Sequence, residues 1–274
     1  MSGFSIDWLD LREAADHRAR DDGLLVRAIH WLQDARPPGQ SEVVVDLGAG
    51  TGSTLRAFTR SKIYKTGSAE WRPIEHDSQL LAEIQRRHGQ STTLKPHELD
   101  LAKTSELPLS DTRLVTASAL FDLVSANFID SLVDTLIRQC QQQPVGLYAA
   151  LTYDGTTQWT QTHPLDETIL AAFNRDQFRD KGFGPSLGPN ACHYLERRLV
   201  EAGFEVSCAE SPWILGGKES ELVTELAKGI GHAVAEDPAL DSEALREWLE
   251  FRQANVTREN CLVGHRDLLA LPPA

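Results

Sequence analysis

Val43-Val44-Val45-Asp46-Leu47-Gly48-Ala49-Gly50-Thr51-Gly52-Ser53 is the stretch on which the reading of this chain turns. Three β-branched residues run into an acid, and glycines then alternate with small residues. An apolar run bounded by glycines reads as a buried parallel strand. The glycines let the backbone turn sharply and let a ligand lie against bare main chain. Ser53 to Phe58 restarts the chain as a helix, whose N-terminal N–H groups favour negative charge.

A dinucleotide-binding turn needs G-x-G-x-x-G at this point. Here the spacing of Gly48, Gly50 and Gly52 is G-x-G-x-G, and no G-x-x-x-x-G-K-[ST] phosphate loop occurs. With the Asp46-Leu47 lead-in, the spacing resembles motif I of the class I S-adenosylmethionine (SAM) dependent methyltransferases. The alternative is a tight glycine turn with no ligand. The resemblance implies that Asp46, Gly48, Ala49, Gly50, Thr51 and Gly52 lie under the methionyl part of SAM. By motif order it covers roughly residues 40–210, and by element count the whole chain.

Composition bounds the rest. A chain of 274 residues is long enough for one large α/β domain with an inserted cap. No stretch approaches ~18 consecutive apolar residues, so no membrane partner is expected. The start, Met1 to Asp7, lacks the basic and apolar regions of a signal peptide, and a cytoplasmic location is expected. Cys140, Cys192, Cys208 and Cys261 are too dispersed for a zinc site or a disulfide framework; buried reduced thiols are the simpler reading. Net charge is -13, from 27 basic and 40 acidic residues, which disfavours nucleic acid as a bulk partner and leaves a small-molecule acceptor as the simpler expectation. A monomer or homodimer is expected.

Upstream of the glycine loop, residues 7–34 read as helix, with Leu24, Leu25, Ala28, Ile29 and Leu32 on one stripe. The charged run Leu9 to Arg20 is either a solvated face or a lid over the cofactor, in which Arg12 or Arg18 pairs with the SAM carboxylate. Pro37-Pro38-Gly39 ends this N-terminal helical cap, residues 1–36, and delivers the chain to the first strand.

Downstream, Trp71 to Glu75 reads as the second strand, and Ser78 or Asp77 caps the next helix. The family resemblance assigns the ribose hydroxyls to Glu75, with Asp77 second; an acceptor-only carboxylate suits two donors. Thr92-Thr93-Leu94 is a weak third strand. Beyond it the resemblance places Asp100 and the Leu101 backbone N–H at the adenine ring, against the alternative of a loop aspartate capping a turn. Arg113 to Ser118 is the fourth strand, and Ala119 to Leu123 a turn beside the cofactor. Small Ala117, Ser118 and Ala119 allow close approach of the sulfonium end, or simply pack. No N/D-P-P-Y/F signature follows, which argues against DNA bases and glutamine amides as acceptors.

Leu132, Val133, Leu136, Ile137 and Cys140 stripe the next helix, and Val145 to Tyr153 is a buried fifth strand. Asp154-Gly155-Thr156-Thr157 then opens a polar loop, followed by a short helix from Leu165 to Phe173. Residues 154–190 mix aromatics, hydrogen-bonding groups and glycines, which suits a lid insertion over an acceptor pocket. The acceptor-side candidates are Tyr153, Asp154, Asn174, Phe178, Lys181 and Phe183. Asn190 caps a helix over 191–202, ended by Gly203 before a sixth strand from Phe204 to Cys208. Two more helices and a strand from Cys261 to Leu271 complete the chain. The expected fold is a doubly wound, seven-stranded α/β sheet of the Rossmann-like methyltransferase type, with its last strand antiparallel, in one domain over residues 1–274.

The expected activity is methyl transfer from SAM to a small molecule by in-line displacement, leaving S-adenosylhomocysteine (SAH) as product. Asp154, His163 and His265 are the candidate bases. No metal is expected, since H-x-E, H-E-x-x-H and C-x-x-C patterns are absent. The alternatives are a protein that binds SAM or SAH without methyl transfer, and an enzyme that uses SAM for another reaction.

Overall fold

The computed structural model describes residues 4–34, 42–65, 67–258 and 260–273. Pro37-Pro38-Gly39 lies outside the described residues.

Two helices, not one, open the chain: α1 (Ile6–Ala19) and α2 (Asp22–Asp34). The break has a local cause. The Asp21 carboxylate accepts the Leu24 N–H at 2.7 Å, restarting a helix as a cap does. The Asp21 N–H in turn donates to buried Asp267, 246 residues away, at 2.9 Å.

The sheet begins with β1 (Glu42–Leu47), whose apolar run is buried from Val43 to Leu47. Then come α3 (Ser53–Arg60), β2 (Ala69–Glu75), α4 (Ser78–His88), β3 (Thr93–Leu94), β4 (His97–Glu98), β5 (Thr112–Ser118) and α5 (Ala126–Cys140). The second half runs β6 (Gly146–Trp159), α6 (Asp166–Gln177), α7 (Ala191–Glu201), β7 (Glu205–Glu210), β8 (Trp213–Leu215), α8 (Ser220–Val234), α9 (Ser242–Asn255) and β9 (Cys261–Leu271).

Across the sheet the order is β3-β2-β1-β5-β6-β9-β7, with β4 also on β2 and β8 also on β9. The β1–β2, β1–β5 and β5–β6 pairs are parallel, and β9 runs antiparallel between β6 and β7. The expected doubly wound sheet with an antiparallel last strand is therefore present. The strand count is nine among the described residues, not seven. The third strand is split into β3 and β4 around Lys95-Pro96, where proline has no N–H for the ladder. The other addition, β8, extends the β9 edge beyond β7.

The fifth strand also corrects the sequence reading. Residues 154–159 are not a polar loop but the far half of β6, where Thr157, Gln158 and Trp159 pair with Val263, Leu262 and Cys261. Polar residues hold a strand there because a partner strand supplies the ladder. Register shifts on either side of Tyr153 bend this ribbon away from the sheet. The helix after it is longer than expected, ending at Gln177. Asn190 precedes α7 but makes no capping bond with its side chain.

The two faces of the sheet carry separate cores. Leu47, Val115 and Leu147 pack with α5 and α7 residues such as Leu132 and Leu195. Val44, Leu114 and Tyr148 pack with Ile29 of α2 and Phe58 of α3. Beyond the sheet, α6, α8 and α9 form a small helical layer around Ile169, Ile230 and Trp248. No helix among the described residues is long and apolar enough to cross a membrane.

Candidate active site

The C-terminal ends of β1, β2 and β5 meet at the glycine loop. Gly48, Gly50 and Gly52 all have left-handed backbone, with φ of 62°, 55° and 86°. Gly50 is the position where glycine is most needed. A Cβ there would lie 3.2 Å from Leu9 Cδ1 of α1, besides straining the backbone. The loop is tied by Ala49 N–H to Ile74 O at 3.1 Å and by Gly52 N–H to Ala49 O at 2.8 Å.

Glu75, at the end of β2, is buried and gathers the neighbouring amides. Gly50 N–H donates to Oε2 at 3.2 Å, while His76 and Asp77 N–H donate to Oε1 at 2.9 and 3.3 Å. Asp77 caps α4 through Gln79 N–H at 2.8 Å, which occupies one of its oxygens. Asp100 is exposed and accepts Ala102 N–H at 3.0 Å; Leu101 beside it is buried, with its Cδ1 3.8 Å from a Cβ built on Gly48.

Asp46, at the end of β1, is 2% exposed and accepts the Thr116 hydroxyl at 2.7 Å. Burial pushes its pKa up to about 6, against the Thr116 and Thr54 hydroxyls and the Arg20 charge, with Glu75 adding to the rise. The residue opposite it is one that sequence reasoning missed. Arg20 is 4% exposed and donates from Nη2 to Ser118 Oγ at 2.9 Å. Its Nε and Nη1 are buried without a protein hydrogen bond. The signal available was the Arg20-Asp21-Asp22-Gly23 run, which breaks the helix and turns its last arginine inward.

Arg12 is spent elsewhere: Nε and Nη2 hold both oxygens of Asp16 at 2.9 and 3.1 Å, and the guanidinium lies 4.8 Å from the centre of the Trp213 ring. Arg18 pairs with Glu219 at 2.8 Å. Ala117 is buried in β5 and Ser118 ends it.

A second polar group gathers around Tyr153 and takes in three of the acceptor candidates, Tyr153, Asp154 and Asn174. Tyr153 donates to Asn174 Oδ1 at 3.1 Å, and Asn174 Nδ2 donates to Gly155 O at 2.9 Å. Asp154 accepts Thr156 N–H at 2.9 Å and lies against the bare backbone of Gly264. The His265 ring is 6.2 Å from Tyr153 and 5.1 Å from Trp213, and burial with the Arg12 charge pushes its pKa down to about 4. Asp122, unassigned from sequence, belongs to this group: it is buried, and burial pushes its pKa up to about 6 against the backbone amides of Asp122 and Tyr153 and the charge of Arg12.

The remaining candidates are dispersed. Lys181 pairs with Asp176 at 2.5 Å, and Phe178 is 43% exposed. Phe183 stacks edge-on against Phe128 of α5, at 5.3 Å. His163 precedes α6, its N–H on Asp166 at 2.7 Å and its ring 5.0 Å from Phe251. No group of three or more His, Cys, Asp or Glu among the described residues is placed to hold a metal ion.

No protein-family model matches the chain, and no curated protein matches it in sequence. Solved structures do match in fold. A cyclopropane synthase from Mycobacterium tuberculosis, MmaA2, superposes with a TM-score of 0.51 at 11% identity, over 98% of this chain and 94% of that one. The mycolic acid cyclopropane synthase CmaA1, in complex with SAH and CTAB, superposes with a TM-score of 0.50 at 11% identity, over 90% of this chain and 82% of that one. With the strand order above, these matches define a class I SAM-dependent methyltransferase fold. At such identity the likeness shows the fold alone.

Proposed function

We propose that the chain is a methyltransferase that takes its methyl group from SAM and delivers it to a small-molecule acceptor, in line with the C–S bond. The observation that carries this is the left-handed glycine loop joined to the buried Glu75 carboxylate through Gly50 N–H. The residues present fit SAM. The loop has no side chain at Gly50, where Leu9 of α1 covers the bare backbone. Glu75 suits two ribose hydroxyls, and the unpaired Nε–H and Nη1–H of Arg20 suit a carboxylate. Arg20 thus takes the role that the sequence suggested for Arg12 or Arg18. Leu101 borders the loop at Gly48, on the side this reading gives to adenine.

When bound, SAM supplies an electrophilic methyl group on a sulfonium. The chain's own task is then positioning. Leu9, Leu101 and Leu120 close around the loop and exclude water, while the group around Tyr153 holds the acceptor near ~3 Å from the methyl. Residues 160–190, with Asn174 fixed to Tyr153, form the acceptor-side cover in this reading. The crystallised relative's complex with SAH supports the choice of cofactor.

Thermal melting with SAM, SAH and NAD, followed by incubation with SAM and a metabolite pool, tests the proposal. SAM or SAH at 100 times its dissociation constant should stabilise the fold by ~2.7 kcal/mol, and SAH should accumulate in the pool. A melting shift with NAD alone, or none with SAM and SAH, would overturn it.

A further inference from the structure

The turn that follows β5 carries a buried acid with one oxygen unpaired. Its backbone is held under strain: Ala119 has φ 50°, unusual for a residue other than glycine, and its N–H is fixed on Ala150 O at 2.9 Å. Leu120 then packs over the glycine loop, its Cδ1 3.5 Å from a Cβ built on Gly48. Asp122 follows two residues later and faces the Tyr153 group. It is only 8% exposed, yet its Oδ1 has no hydrogen-bond partner. A buried, unpaired carboxylate oxygen is costly, and a ligand that donates to it would relieve that cost.

The surroundings say what that is. Arg12 is the cation near Asp122, but both arms of its guanidinium are on Asp16, which also accepts Trp213 Nε1–H at 3.0 Å. With that pair neutral, Asp122 and Asp154 leave the group with an excess of carboxylates over cations. Asp122 lies beside Tyr153, whose ring stands 6.2 Å from that of His265. A carboxylate next to an aromatic ring suits a cationic ligand.

Building on the methyltransferase reading, we propose that Asp122 is the proton acceptor of the reaction and that the methyl acceptor is a small primary or secondary amine. The amine arrives as an ammonium ion paired with Asp122. One N–H proton passes to Oδ1, and the freed lone pair forms the N–C bond. As that bond forms, the C–S bond breaks and its electron pair stays on sulfur, so a methylammonium and a neutral thioether leave. Desolvation among the rings favours the transfer, because it lowers the basicity of the amine while raising that of the carboxylate.

Sinefungin, an SAH analogue with an amine where the transferred methyl sits, is the probe. Calorimetry on the full chain should show it binding at least tenfold more tightly than SAH. In Asp122→Asn that preference should vanish, with SAH affinity within threefold of the unmodified chain. Equal affinities in the unmodified chain, which need no variant to fold, would overturn the proposal. So would a preference that survives in Asp122→Asn, or parallel loss of both ligands. SAH binding without a sinefungin preference sinks this inference and spares the methyltransferase reading; failure of both ligands to bind the unmodified chain sinks both.

Discussion

Glu75 shows how one side chain serves the fold and the site together. Its oxygens already collect the N–H groups of Gly50, His76 and Asp77, and the His76 ring nitrogen lies 2.9 Å from Oε1. Removing the carboxylate therefore frees the glycine loop as well as deleting a ribose acceptor. Glu75→Ala should weaken SAH by ~2–3 kcal/mol in calorimetry, since bonds to a charged acceptor are among the stronger ones. Glu75→Gln should lose less, because its carbonyl still accepts one donor. Asp77 has its side chain in the cap of α4, so Asp77→Ala should act on stability more than on affinity. A larger affinity loss in Asp77→Ala than in Glu75→Ala would move the ribose role two residues on.

At the scale of elements, α1 is held over the loop largely by charge. Glu13 takes both arms of Arg56 at 2.7 Å each, and Asp10 takes Arg87 at 2.7 and 2.8 Å. Arg56 also donates to Thr51 O and Oγ1 at 2.5 and 3.0 Å, so one guanidinium joins the cap, the loop and α3. Apolar contact adds to this through Trp8, Leu11 and Ala15, which pack on the Trp213 and Tyr153 cluster. Loss of the Glu13 charge should cost about 1–2 kcal/mol locally, the worth of a charge-assisted bond. Glu13→Gln should therefore raise hydrogen exchange several-fold across Ile6–Ala19 while the β1 and β5 amides keep their protection. Unchanged exchange in α1 would show that its apolar contacts alone hold it.

For the molecule as a whole, the buried acids tie stability to pH in an unusual direction. Asp46 holds its proton up to about pH 6 in the folded state, whereas the unfolded chain releases it in the ordinary carboxylate range. The folded state binds the extra proton in that window, so stability falls as pH rises through it, by up to about 1.4 kcal/mol per pH unit, and the cost is complete above pH 6. Asp46→Asn removes this dependence and keeps an acceptor for Thr116. Its melting temperature relative to the unmodified chain should therefore climb between about pH 4.5 and 7. A constant difference would mean that Asp46 is ionised throughout that range. Asp122 and His265 titrate in both proteins and largely cancel in the comparison.

The order of elements was legible because it rests on local signals. The Val43–Val45 run, the glycines after it and the apolar stripes of α2 and α5 depend on near neighbours in the chain. The glycine loop itself was legible because glycine adopts, without strain, the left-handed backbone found at all three positions. What lay beyond the sequence depends on groups far apart in it. Arg20 reaches Ser118 across 98 residues, and Asp21 reaches Asp267 across 246. The polar end of β6 is a strand only because β9 returns beside it, and Trp213–Leu215 becomes β8 for the same reason. The sequence by itself determined a doubly wound sheet and the loop at its ligand edge, through residue type and spacing. Tertiary structure alone decided which arginine faces that loop and that Asp122 is buried with an oxygen unpaired, because charge and burial are set by partners that no local pattern encodes.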